Sequence, residues 1–301
     1  FPRTQKTIPL SPQVRALLGI EAERAEPAAV MQAILRARVD LLYFGGIGTY
    51  VKASTESQAE AGDRANDALR VDGGTLRARV VGEGANLAVT QAGRVEYART
   101  GGRINTDALD NSAGVSTSDH EVNIKIALRD VMSSTGMTIE ERNALLEEMT
   151  DEVAELVLDD NRAQTLALAI ARRQAVPMVN VHARYLNQLE AEGWLSRALE
   201  HLPSDKQLAE RQASGAALTT PEFAVLLAYT KTANIELTVD STLPDDPYLE
   251  PELHRYFPRA LRERYAEQLS RHRLRREIIA TVVGNQMVNH SGISFDHRIS
   301  E

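Results

Sequence analysis

Apolar positions change their rhythm partway along the chain. Up to about residue 116, short β-branched runs alternate with helical stretches; beyond it nearly every segment repeats at three- and four-residue spacing. In the first part, residues 27–37 (PAAVMQAILRA) predict a helix with Pro27 in its first turn. Residues 39–44 (VDLLYF), stopped by Gly45-Gly46, predict a buried strand. Ser57 and Glu60 have capping-box spacing and predict a helix over 57–68. Residues 76–81 (LRARVV) form a second predicted strand, 90–99 a helix interrupted by Gly93, and 103–105 a short third strand. Strand, helix, strand, helix, strand is half of a doubly wound parallel sheet.

The second part predicts helices over 138–158, 162–191, 222–236 and 274–290. Ser118 with Glu121, Thr138 with Glu141 and Ser204 with Gln207 all carry the capping-box spacing. Thr220 precedes Pro221 as a capping hydroxyl before a first-turn proline. The expected fold class is α/β followed by mostly α: the second half of a Rossmann-like parallel sheet over residues 1–130, then a C-terminal helical domain over 131–301.

Composition narrows the function classes. The chain has 301 residues, long enough for two domains, and its 43% apolar and 25% charged content is ordinary for a globular protein. Aromatics are only 5%, so the core is aliphatic. Forty-two acidic against 34 basic residues give a net charge of −8, which argues against nucleic acid or an anionic membrane as partner. No apolar run is long enough to span a membrane. With no cysteine there is no disulfide, thiolate metal site or cysteine nucleophile. A cytoplasmic enzyme or an interaction module fits. The absence of an initial Met and the apolar SGISF just before the end suggest a stretch of a longer protein.

Candidate chemistry is sparse. The seven histidines form no i, i+4 pair and no HExxH, and no GxSxG appears. Gly45-Gly46-Ile47-Gly48 and Gly82-Glu83-Gly84-Ala85-Asn86 each follow a predicted strand, where glycine lets a ligand approach the backbone. Neither is a full GxGxxG, and on spacing alone tight strand-to-helix turns are the better explanation. Lys52 is the nearest candidate base, expected on a loop facing solvent. The basic run 272–276 (HRLRR) reads as a solvated helix face. Trp194 reads as a packing anchor between helices.

Residues 82–125 hold the densest cluster of small and polar positions, at Gly84-Ala85-Asn86 and at Asp110-Asn111-Ser112-Ala113-Gly114. Ligands bind open parallel sheets beyond the carboxyl ends of their strands, and asparagine offers both a donor and an acceptor to a carboxamide. Ser118 sits where a helix N-terminus would favour a carboxylate, although a serine capping with Glu121 needs no ligand.

This block resembles the glutamate dehydrogenases, whose cofactor domain carries an EGAN turn, a T-x-x-A helix and a D-x-x-x-N-[AS]-x-G-V-x-x-S-x-x-E segment. The matching residues are Glu83-Gly84-Ala85-Asn86, Thr90, Asp107, Asn111, Gly114-Val115, Ser118 and Glu121. FGGIGTYVKAS (44–54), GDRANDALRVDG (62–73), TTPEFAVLLAYTK (219–231), LPDDPYLEPEL (243–253) and LRREIIATVVGNQMVN (274–289) extend the resemblance along the whole chain, to the very large NAD-specific class of bacteria. Two departures are small: EGAN lacks a second glycine found in some members, and NSAG stands where NAGG is usual.

The resemblance implies oxidative deamination of L-glutamate to 2-oxoglutarate and ammonia, through an imine, with NAD as hydride acceptor, in a homo-oligomer of up to four copies. It places Gly45, Gly46, Gly84, Asn86 and Asn111 on the cofactor, and Val115 and Ser118 on the substrate, Ser118 at the glutamate side-chain carboxylate. The family's diphosphate loop, ribose-reading acid and catalytic Lys and Asp have no counterparts in these residues, so the stretch is expected to be inactive alone. The rival reading is a non-catalytic helical assembly or regulatory module.

Overall fold

A short antiparallel pair, β1 (Ile8–Pro9) and β2 (Arg24–Ala25), flanks α1 (Pro12–Leu18) in the computed structural model, which describes residues 5–300. Pro27 opens α2 (Pro27–Leu35), as its fixed φ allows. Then come β3 (Leu41–Phe44), β4 (Val51–Lys52), α3 (Gln58–Ala61), β5 (Val71–Asp72) and β6 (Val80–Glu83). β3 and β6 are parallel, with Leu41 opposite Val80 and Phe44 opposite Glu83. β4 and β5 form a second parallel pair. The predicted third strand is reduced to a single parallel bridge between Arg103 and Val80.

Phe44, Val51, Val71, Val81, Val89 and Tyr97 pack into one apolar core with Leu35 and Ile104. β3 is buried on one face only: Leu41 and Tyr43 point out, Tyr43 with 64% of its surface exposed. The alternation follows from the two-residue period of a strand.

The helix predicted over 57–68 lasts one turn. Its capping box forms, with Ser57 and Glu60 bonded reciprocally, but Gly62 adopts φ +74° and ends it. Asp63 then turns inward to accept from the Thr49 amide and the Asn66 carboxamide.

Gly93 does not interrupt α4 (Gln91–Arg99); it lets the helix touch the sheet. A Cβ there would lie 2.9 Å from the Lys52 carbonyl carbon, and a Cβ on Gly73 would lie 2.5 Å from the Gly93 carbonyl oxygen. Gly93→Ala is therefore expected to lose about 1–3 kcal/mol to overpacking, more than the ~1 kcal/mol that alanine gains in helix propensity. A thermal melt of the variant checks this; a raised midpoint would mean the backbones are not in contact.

Helices make up the remainder: α5 (Asp107–Asp110), α6 (Ser112–Thr135), α7 (Ile139–Gln174), α8 (Val179–Ala191), α9 (Asp205–Ala213), α10 (Thr220–Asp240), α11 (Glu250–Tyr256), α12 (Arg259–Arg264), α13 (Ala266–Ser270), α14 (Arg275–Ser291) and α15 (Phe295–Ser300). Gly136, at φ +76°, closes α6, and the Thr138–Glu141 capping box opens α7 two residues later, so α6 and α7 form a tight hairpin. Ile124, Leu128, Leu145, Met149, Leu253, Phe257, Leu261 and Ile279 build the core of the helical part. No strand occurs beyond the Arg103 bridge among the described residues.

The basic run at 272–276 is solvated only in part, at Arg273. His272 is buried, and its Nε2 meets the Asn123 carbonyl oxygen at 3.1 Å. Arg276 donates to the Val239 and Ser241 carbonyls at 2.8 Å and pairs with Asp245, tying the end of α10 to the start of α14.

Contacts divide the chain into two units: residues up to 111 together with 197–225, and residues 112–196 together with those from 226 onward. A division at residue 130 falls within α6.

Candidate functional site

Parallel pairing brings the carboxyl ends of β3 and β6 side by side. Gly45-Gly46 therefore leaves the sheet at the edge from which Gly84-Ala85-Asn86 also leaves. Asn111 reaches the same edge, its carboxamide donating to the Glu83 carbonyl at 2.7 Å and to the Asp107 carbonyl at 2.8 Å. The cofactor-side candidates Gly45, Gly46, Gly84, Asn86 and Asn111 thus converge within one unit.

A buried ionic network shapes the turn. Glu83 has no exposed surface and accepts from Arg94 at 2.6 Å (Nε) and 2.9 Å (Nη2), and from the Val89 amide at 3.0 Å. Arg94 also pairs with Asp107 at 3.0 Å. Asp107 accepts from the Leu87 amide at 2.8 Å, while Asp110 accepts from the Glu83 amide and from the Asn105 carboxamide, each at 3.0 Å. Burial pushes the Glu83 carboxyl up, outweighing the pull of Arg94. Burial opposes charge on Arg94 too, but two carboxylates share that guanidinium and hold it above its ordinary value. The arginine gains from both anions, whereas Asp107 acts on Glu83 as a like charge.

The network projects the tip of the turn outward. Leu87 has φ +61°, a left-handed conformation unusual for leucine, and both its backbone groups are pinned: the amide by Asp107, the carbonyl by Thr49 at 2.8 Å. Asn86 stands exposed beside it. The surroundings are open and partly apolar: Tyr43 is exposed, and Ile47 is 92% exposed. A Cβ on Gly84 would fall 1.8 Å from the Tyr43 hydroxyl, so this glycine makes room for a phenol across the strand end. A Cβ on Gly46 would meet nothing within 4 Å. Bare backbone at two turns with an exposed carboxamide can meet a ligand that offers both hydrogen-bond donors and acceptors. The Asn111 donors are already committed to backbone, leaving its Oδ1 for a ligand.

Val115 and Ser118 lie on α6, in the other unit, one turn apart and exposed, Val115 by 70%. Ser118 is not an N-cap. Its helix starts at Ser112, and its hydroxyl sits 3.4 Å from the Gly114 carbonyl oxygen one turn back. Lys52 does not face solvent either: it is buried in β4, with Nζ 2.6 Å from Asp72 and 3.0 Å from the Ala53 carbonyl oxygen. Sequence reasoning missed Arg94. The available signal was a cation between Gly93 and Val95 on the face of α4 that also carries the buried Tyr97. Among the described residues, no group of three or more His, Asp or Glu is placed to hold a metal ion.

The family model described as bacterial NAD-glutamate dehydrogenase, catalytic domain, matches residues 1–171, and that of the glutamate dehydrogenase C-terminal region matches 215–301. The chain is similar to the NAD-specific glutamate dehydrogenase of Pseudomonas aeruginosa (50% identical over 301 residues), to that of Mycobacterium tuberculosis (50% over 307) and to that of Halomonas elongata (47% over 301). Each comparison covers 100% of this chain and 19% of the relative, so the chain spans about a fifth of the length of these relatives. With a family model over more than half of its residues, and relatives close to half identical along all of them, the chain belongs to the bacterial NAD-glutamate dehydrogenase family.

Proposed function

We propose that these residues supply the nicotinamide-side wall and one substrate contact of an enzyme that oxidises L-glutamate to 2-oxoglutarate and ammonia with NAD. The observation that carries the reading is the paired exit of Gly45-Gly46 and Gly84-Asn86 from adjacent parallel strands, braced by Asn111. NAD, when bound, accepts the hydride from the substrate Cα. Gly45 and Gly46 would admit it to the backbone, Gly84 would keep room for the Tyr43 phenol beside it, and Asn86 with the Asn111 Oδ1 would hold its carboxamide. The sheet edge is read as part of a Rossmann-like domain, and residues to about 130 as its extent. Val115 would pack on the glutamate stem while Ser118 donates to the side-chain carboxylate. Proton transfer is assigned to residues elsewhere in the full-length protein. We assign the enzyme to the cytoplasm, as a homo-oligomer with four copies as the working state.

The catalytic-domain match runs through α6 and nearly all of α7, which disfavours reading everything after residue 116 as an assembly module.

Ser118→Ala tests the substrate contact cleanly because the hydroxyl caps nothing. A charge-assisted bond of about 1.5–3 kcal/mol, remote from the hydride, acts as uniform binding, so KM for glutamate is expected to rise about tenfold or more. The melting temperature and KM for NAD should stay near wild type. An unchanged KM for glutamate would remove Ser118 from the site.

A further inference from the structure

One face of α7 stays uncovered among the described residues. Asp151, Glu155, Leu158, Arg162, Leu166, Ala169 and Arg173 are all exposed, Leu158 by 44% and Leu166 by 60%. Ile170, 45% exposed, borders them. The buried side of the same helix carries Val157, Leu168 and Ala171 instead. Spacings of 4, 3, 4, 4, 3 and 4 residues keep the seven exposed positions on one stripe. Those spacings read the same in both directions from Arg162.

Charge is divided along this helix. Nine acidic residues and one arginine fill it up to Asp160; three arginines and no acid follow. The helix dipole accounts for such a bias only in the first and last turns. Asp151, Glu155 and Arg173 make no ion pair among the described residues. An identical stripe running the opposite way matches this one position by position. Leu158 meets Leu166, Asp151 meets Arg173, and Glu155 meets Ala169. Only Arg162 meets its own copy, and in each chain Asp159 neutralises it at 2.6 Å. A parallel copy would set Asp151 against Asp151 and Arg173 against Arg173, where like charges repel.

We propose that this face of α7 is a self-association surface, on which a second copy of the chain lies antiparallel about a twofold axis at Arg162. Leu158 packs on the partner's Leu166, and Asp151 pairs with the partner's Arg173. The surface rests on the homo-oligomer reading above and deepens it by naming one contact.

Sedimentation velocity and cysteine cross-linking of the full-length protein test this. The wild type is expected to associate. Arg173→Asp should weaken association about tenfold, because by symmetry one substitution turns two attractive facings repulsive. Asp151→Arg should do the same, and the two substitutions together should restore association. Both positions are exposed, so folding is not at stake. In Leu158→Cys combined with Leu166→Cys, mild oxidation should join position 158 of one copy to position 166 of the other, read by peptide mass mapping. Within one chain these positions lie about 12 Å apart along the helix, too far for a disulfide. A monomeric wild type would overturn the homo-oligomer reading and this surface together. An associating wild type that forms no 158–166 bond, or is unmoved by Arg173→Asp, would overturn the surface alone and leave the face to another segment of the same chain or to water.

Discussion

Replacing Arg94 with methionine is expected to cost about 3–5 kcal/mol of folding stability, the range seen when one partner of a buried ion pair is removed. Glu83 is wholly buried and receives two of its three hydrogen bonds from Arg94. Without the guanidinium, its carboxylate keeps only the Val89 amide, and Asp107 adds like-charge repulsion. The loss should appear as a lower urea midpoint. Arg94→Met combined with Glu83→Met should recover at least half of it, since the uncompensated charge goes with the glutamate. A single variant within about 1 kcal/mol of wild type would mean that the pair does not hold the turn. The single variant should also relax the Leu87 conformation, because Asp107 loses the cation that positions it.

Acid should weaken the protein through a buried histidine. His182 lies on the inner stripe of α8 with Val179, Tyr185, Leu186 and Leu189, and is 3% exposed. Burial, with the nearby positive charge of Arg298, lowers its imidazole to about 4. The unfolded chain takes up this proton near pH 6.5, whereas the folded one resists until about pH 4. Stability fully present above pH 6.5 is therefore lost as the pH falls through that window, roughly 2 kcal/mol of it by pH 5 and 3 by pH 4. Burial also lowers His120 and His272, which add losses of the same sign. Urea unfolding at pH 7 and pH 5 measures the drop, and His182→Gln should shrink it. An equal drop in the variant would assign acid sensitivity elsewhere.

Local signals were legible in the sequence where the physics is local. The capping boxes at Ser57, Thr138 and Ser204 all form, because each needs only residues within one turn. The same spacing at Ser118 misled, since Ser-x-x-Glu inside a helix cannot be told from Ser-x-x-Glu at its start. What decides is that α5 ends at Asp110 and the chain re-enters helix at Ser112. The convergence of the glycine turns was readable from strand order. The Glu83–Arg94–Asp107 network was not, because it joins residues from three elements whose approach depends on the tertiary fold. Lys52 shows the same limit: as one half of a two-residue strand it carries no periodic signal, and only its pairing opposite Asp72 buries it.

On the proposed function, the Asn86 turn holds the nicotinamide end of NAD in the full-length enzyme. Initial rates of NADH formation from L-glutamate by the full-length protein, wild type beside Asn86→Ala, test it most directly. The account predicts glutamate-dependent NADH formation by the wild type. It also predicts that the variant has a several-fold higher KM for NAD and a lower kcat, about what one lost hydrogen-bonding group is worth, with KM for glutamate nearly unchanged. A folded wild-type protein that forms no NADH from glutamate, or a variant whose KM for NAD and kcat match those of the wild type, would contradict it.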